Sequence, residues 1–241
     1  MTIEEVEGQI AVPGGRLPVL IMRSSGHSLP TVVVLGEIWA VNQQIRRLCR
    51  RLADEGFTVV APDLYRGNGI PPADAQQDAL NGSFASFPDV RAIRDCRILL
   101  NAMEAGELGT SRNRPCVWGF CMGGRFAHYL AALSGKVAGA LNFYGRLDFP
   151  RDGLKPFTPL DVCELIQVPY LGVFAEHDAL IPLSDVNALQ HRLQSAGIEH
   201  AIKVFAAHHG FMNETRPAHD PAIAKAAWDL AMNFIRTRGR T

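Results

Sequence analysis

The segment Pro115-Cys116-Val117-Trp118-Gly119-Phe120-Cys121-Met122-Gly123-Gly124-Arg125-Phe126 decides how the chain is read. An apolar run ends, and Gly-x-Cys-x-Gly-Gly leads directly into a helical pattern from Arg125 to Leu133. A strand that turns this sharply into a helix forms a nucleophile elbow, lifting one side chain above the carboxyl edge of a sheet. Strand and helix backbones crowd at such a bend, so the flanking positions must be small, and Gly119 and Gly123 satisfy that. The start of a helix also offers free N–H groups and a positive dipole end, which favour the thiolate form of Cys121. A bland reading stays open here: a glycine-rich turn with an incidental buried cysteine.

On either side of this segment, apolar β-rich runs alternate with helical patterns. That alternation predicts an α/β chain with a mostly parallel central sheet covered by helices on both faces. Strands are expected at about 17–22, 31–36, 57–61, 115–120, 137–143, 170–175 and 200–205. Continuous runs such as Val32-Val33-Val34-Leu35 suit strands buried on both sides. Helices are expected at 41–55, with Ile45, Leu48 and Leu52 inward and Gly56 as the stop, and at 90–105, with Ala92, Cys96, Leu99 and Met103 inward. Another spans 184–196, with Ser184 as N-cap, Val186, Leu189 and Leu193 inward, and Gly197 as the stop. The last helix opens at Asp220-Pro221, with Ile223, Ala227, Leu230 and Phe234 as its stripe. The stretches 64–89 and 145–168 read as irregular loops, long enough to cover a site.

Composition narrows the class. The 241 residues carry 24 basic and 24 acidic side chains and are 47% hydrophobic, which suits one domain spanning 1–241 with a continuous core. A balanced charge gives no field to hold nucleic acid or an anionic membrane. No apolar run reaches membrane-spanning length, and the opening MTIEEVEGQI is acidic where a secretory leader needs a basic start. Five scattered cysteines without a CxxC indicate free thiols in a reducing cytoplasm, with no disulfide framework and no metal knuckle.

A nucleophile at an elbow needs a general base, and the base needs an orienting acid, in the chain order nucleophile, acid, histidine. Val173-Phe174-Ala175-Glu176-His177-Asp178 puts an acid just past one later strand, and Val204-Phe205-Ala206-Ala207-His208-His209-Gly210-Phe211 puts histidine past the next. Asp178 also suits a turn ahead of the following helix, and Asp161 and Asp185 are weaker rivals for the acid. His209 is favoured over His208 because the glycine and aromatic after it let the backbone turn sharply.

After the TVVVLG run comes Glu37-Ile38-Trp39. That loop supplies the second donor of an oxyanion hole, so the two amides are assigned to Ile38 and Met122. Glu37 is out of place in a plain hydrolase. It either holds the thiol protonated at rest, or accepts its proton as substrate enters, or is a solvated loop residue.

Together, Gly36-Glu37-Ile38-Trp39-Ala40-Val41-Asn42, Gly119-Phe120-Cys121-Met122-Gly123-Gly124, Asn142-Phe143-Tyr144-Gly145, Glu176-His177-Asp178 and His209-Gly210-Phe211 resemble the dienelactone hydrolase (carboxymethylenebutenolidase) family. The resemblance extends over almost the whole chain. It implies an α/β-hydrolase fold, a Cys121-His209-Asp178 triad, no cofactor, an interaction of Glu37 with the resting thiol, and Tyr144 close to the pocket. With Trp39, Phe211 and Arg216, Tyr144 makes up the expected substrate-binding set. The expected reaction is hydrolysis of a small ester or enol lactone through a thioester, by a monomer or small homo-oligomer. A non-hydrolytic ligand-binding protein and a thiol redox protein on the same fold are the alternatives. Lactone-cleaving members hold a substrate carboxylate with arginines, one of them shortly after the catalytic histidine. Here Phe211-Met212-Asn213 follows His209, and the first arginine is Arg216, either the carboxylate ligand or a surface residue beside a helix. Arg66 and Arg91 are the basic residues in and just beyond 64–89.

Overall fold

A computed structural model describes residues 2–24 and 30–238. One eight-stranded sheet runs through it. Its strands are β1 (Ile3–Val12), β2 (Gly15–Ser24), β3 (Thr31–Leu35), β4 (Thr58–Pro62), β5 (Cys116–Phe120), β6 (Gly139–Phe143), β7 (Tyr170–Ala175) and β8 (His200–Phe205). They lie side by side as β1-β2-β4-β3-β5-β6-β7-β8. The β1–β2 and β2–β4 pairs are antiparallel and all later pairs parallel.

The helices are α1 (Gln43–Asp54), α2 (Gln77–Ser86), α3 (Asp89–Ala105), α4 (Met122–Leu133), α5 (Pro159–Val162), α6 (Leu183–Ser195) and α7 (Pro221–Arg238). Strand β3 explains why both sheet faces need cover. All five of its residues are buried. Val32 and Val34 face one way and join Leu48, Leu52 and Trp228 of α1 and α7, whereas Val33 and Leu35 face the other way, toward Leu99 of α3 and Phe126 of α4. Each such buried side chain contributes about 1.5–3 kcal/mol, so a strand apolar on both sides is stable only between two helical layers. Trp118 of β5 meets Trp228 at 5.4 Å, closing α7 against the middle of the sheet.

Most expected elements are present with small shifts of boundary, and the differences have physical causes. Strand β1 carries no legible sequence pattern because it is an edge strand with only Ile10 and Val12 buried; its Glu5 and Glu7 instead bond Arg46 and Arg50 on α1. Helix α2 lies in the stretch read as irregular, since it buries no residue and carries no apolar stripe. Helix α5 begins with a Thr158–Asp161 capping box inside the second such stretch. Ser184 does not cap α6: Pro182 is the N-cap, and the Ser184 hydroxyl turns to Asp185. Along α7, Leu230 is exposed, and the buried face is Ala227, Trp228, Ala231, Met232 and Ile235, one position round from the expected stripe. Asp220 does cap α7, accepting from the N–H groups of Ala222 and Ile223, both at 3.0 Å. No helix among the described residues is long and apolar enough to cross a membrane.

Candidate active site

The bend after β5 is as tight as its glycines suggested. Cys121 has φ 52° and ψ −111°, a conformation side chains rarely adopt. A Cβ on Gly119 would sit 2.0 Å from the Gly123 carbonyl oxygen, and one on Gly123 would sit 2.0 Å from that of Leu35. Main-chain bonds hold the bend from both sides: Cys121 N–H donates to Phe143 O at 2.9 Å, and Gly123 N–H to Gly36 O at 3.0 Å. Neighbouring β3 and β6 thus fix the turn, and the sulfur stands half-buried above the sheet edge.

Two later strand ends complete a line of side chains. After β7, the Glu176 and His177 amides bond the carbonyls of Phe205 and Ala207, tying that loop to the one after β8. Asp178, buried, accepts the Leu180 amide on Oδ1 at 2.8 Å and meets His209 Nδ1 with Oδ2 at 2.7 Å. One side chain thus both closes the turn and contacts the imidazole. His209 Nε2 lies 3.1 Å from Cys121 Sγ. His208 is exposed and turns its ring nitrogen to the His177 carbonyl, away from the sulfur. Burial pulls the His209 imidazole down, but the charge on Cys121 and the bonds to Asp178 and Cys121 outweigh it and leave its pKa well above the usual value.

Glu37 sits beneath this line, 3% exposed. Its oxygens are taken by Asn213, whose Nδ2 donates to Oε2 at 2.5 Å, and by the Tyr144 hydroxyl, which donates to Oε1 at 3.3 Å. Burial raises the carboxyl above its ordinary value, against the opposing Asn213 bond and the charge of His209. The expected contact between Glu37 and the resting thiol is replaced: the sulfur bonds His209, and the carboxylate is held by two neutral donors. Asn213 is in turn fixed by Thr215, whose amide and hydroxyl both donate to its Oδ1.

A cavity of about 580 Å³ opens over the sulfur, within the range that takes a small-molecule ligand. Cys121, His209, Glu37, Ile38, Met122, Trp39 and Arg216 all reach it. Met122 is the first residue of α4, where an N–H has no intrahelical acceptor. Trp39 donates its indole N–H to Pro72 O at 3.1 Å, and Arg216 lies over its ring at 4.7 Å. Tyr144 and Phe211 are fully buried and do not line the cavity. Their rings pack on each other at 5.2 Å and Tyr144 packs on His209 at 5.2 Å, so they support the imidazole from below. Arg66 pairs with Asp95 and Arg91 donates to Leu64 O, both outside the cavity.

Sequence reasoning misses three kinds of residue. Asn213 carries no signal beyond following His209 by four positions. Leu80 and Phe84 reach the cavity from α2, a helix without apolar periodicity. Arg125 and Arg146 line the cavity as well. Each directly follows a glycine of a motif quoted above, and a cation beside such a crowded turn was the available clue. Among the described residues, no group of three or more His, Cys, Asp and Glu is arranged to hold a metal ion.

Comparison with known proteins bears on this geometry. Residues 17–239 match the dienelactone hydrolase family. The chain is 32% identical over 219 residues to the "Putative carboxymethylenebutenolidase" of Salmonella typhi, covering 90% of this chain and 80% of that one. It is 31% identical over 240 residues to the Escherichia coli K12 protein of the same description, covering 97% and 88%. The crystal structure of a "Putative Dienelactone Hydrolase" from Klebsiella pneumoniae superposes with a TM-score of 0.90 at 29% identity, covering 98% of this chain and 99% of that one. The chain belongs to the dienelactone hydrolase family and is a hydrolase built on the α/β-hydrolase fold.

Proposed function

We propose that the protein hydrolyses carboxylic esters or lactones, enol lactones included, in the cytoplasm, through a thioester on Cys121. The observation that carries this reading is the unbroken line from Asp178 to His209 at 2.7 Å and from His209 to Cys121 at 3.1 Å. In the first step the thiol proton passes to His209, the sulfur attacks the carbonyl carbon, and the carbon–oxygen π pair moves onto the oxygen. The amides of Ile38 and Met122 receive that oxyanion, a contribution worth about 3–4 kcal/mol per donor in acyl transfer. Collapse expels the alkoxide or enolate, which takes a proton from His209. Water, deprotonated by His209, then attacks the thioester and releases the acid and the thiolate. Asp178 keeps the imidazole in the orientation both steps need. Enolates leave readily, which suits a thiolate nucleophile that gives little push of its own.

Asn213 and Tyr144 each donate a hydrogen bond to Glu37, which disperses its charge beside the oxyanion, and burial raises its carboxyl above the ordinary value. The test is a pre-steady-state assay with 4-nitrophenyl acetate, with intact-mass detection of the acylated chain. A burst and an acetyl adduct on Cys121 are expected. Replacement Cys121→Ala should lower kcat by about 10⁴-fold or more, and Asp178→Asn by about 10⁴-fold. Full turnover by Cys121→Ala would refute the reading.

A further inference from the structure

Helix α2 turns its inner face to the cavity. None of its ten residues is buried. Gln77, Leu80, Asn81 and Phe84 all line the cavity over Cys121, spaced three and four apart as on one helical face. Leu80 and Phe84 lie one turn apart on that face and are half-buried, packing in part on the core below. What they leave uncovered joins Ile38, Met122 and Leu180 in an apolar lining. The helix is held in place by Phe84, edge-on to Phe149 at 5.4 Å, and by Lys155, whose Nζ donates to the Ala85 carbonyl. The two arginines of the lining have their charges answered within the protein. Arg125 pairs with Asp89 at 2.9 Å, and Asp148, Asp178 and Asp185 act electrostatically on Arg146. Both guanidiniums also lie over the Phe84 ring, at 4.6 Å and 5.0 Å.

An apolar face turned to open space is covered only when a ligand fills that space, and each methylene so covered contributes about fourfold in affinity. We propose that Leu80 and Phe84 make α2 a specificity wall, selecting esters and lactones whose acyl chain is uncharged and apolar. The acyl part is assigned to the wall because it stays on Cys121 through both steps of the proposed reaction. A surface beside it serves both transition states, whereas the leaving group departs after the first. The inference rests on the hydrolytic reading for its kinetic consequence, but not for binding.

The acetate, butanoate and hexanoate esters of 4-nitrophenol differ only in acyl length and test it. In the unaltered chain kcat/KM should rise about tenfold or more from acetate to hexanoate. Leu80→Asn and Phe84→Ala should each cut that rise to about threefold or less. Phe84 also supports Phe149, so Leu80→Asn carries the test if Phe84→Ala does not fold. A flat or falling profile in the unaltered chain, or a rise that Leu80→Asn keeps, would overturn the assignment. So would a length effect confined to the alcohol part, read by comparing methyl and hexyl acetates. Calorimetry on the Cys121→Ala chain with hexanamide and acetamide needs no turnover. Hexanamide should bind about tenfold tighter or more, and adding Leu80→Asn should remove most of that difference. Equal affinity for the two amides would overturn the wall. Hexanamide binding that depends on Leu80, in a chain that cleaves none of these esters, supports the wall and counts only against the hydrolytic reading.

Discussion

In the proposed reaction His209 acts twice with opposite protonation, giving a proton to the leaving group and then taking one from water. On that proposal, one imidazole does both because its surroundings change between the two steps. Its pKa is raised chiefly through the charge on Cys121, with Asp178 adding to the effect against burial. Acylation cancels the sulfur's charge and removes the largest of the raising influences. The imidazolium then loses what stabilised it, and its pKa falls toward the neutral form required of a base. The sign is open to measurement: capping Cys121 with iodoacetamide, which adds no charge, should lower the His209 pKa followed by NMR. A pKa that stays put or rises on capping would mean that the sulfur does not govern this histidine.

At the scale of elements, the elbow tolerates almost no added volume. Gly123→Ala places a methyl carbon 2.0 Å from the Leu35 carbonyl oxygen, on a backbone that cannot rotate away without breaking the Gly123–Gly36 bond. The expected loss is at or above the upper end of the ~1–3 kcal/mol typical of overpacking, read as a lower urea midpoint. An unchanged midpoint would show that β3 and α4 can move apart. These contacts also explain what the sequence could convey. Glycine pairs at a strand-to-helix turn are legible because only a backbone collision demands them, and Asp178 and His209 are legible because chain order fixes where an acid and a base must stand. Strand β1 and helix α2 were hidden because each lacks an apolar face to give a period; one is tied down by surface ion pairs and the other lies over the cavity. Asn213 and Arg146 were hidden for another reason. Their significance depends on what folds against them, Glu37 from 176 positions away and Phe84 from α2.

Across the molecule, the five cysteines sort by environment. Cys49, Cys96, Cys116 and Cys163 are buried and only Cys121 is half-open. Burial pushes the thiols of Cys49 and Cys116 up to about 12 and also raises those of Cys96 and Cys163. Titration of the native protein with a thiol reagent should therefore find one fast group, with the other four reacting only in denaturant; two or more fast groups would contradict this core. The groups assigned to chemistry also share an address. Glu37, Cys121, Asp178 and His209 all follow the carboxyl ends of parallel strands, β3, β5, β7 and β8. The connections that enter those strands open on the opposite rim, among them the exposed turn at Gly197 ahead of β8. That rim is consequently the place to graft a tag or splice in a second module: a flexible insert after Gly197 should leave kcat/KM within about twofold, because exposed turns away from a site absorb added chain.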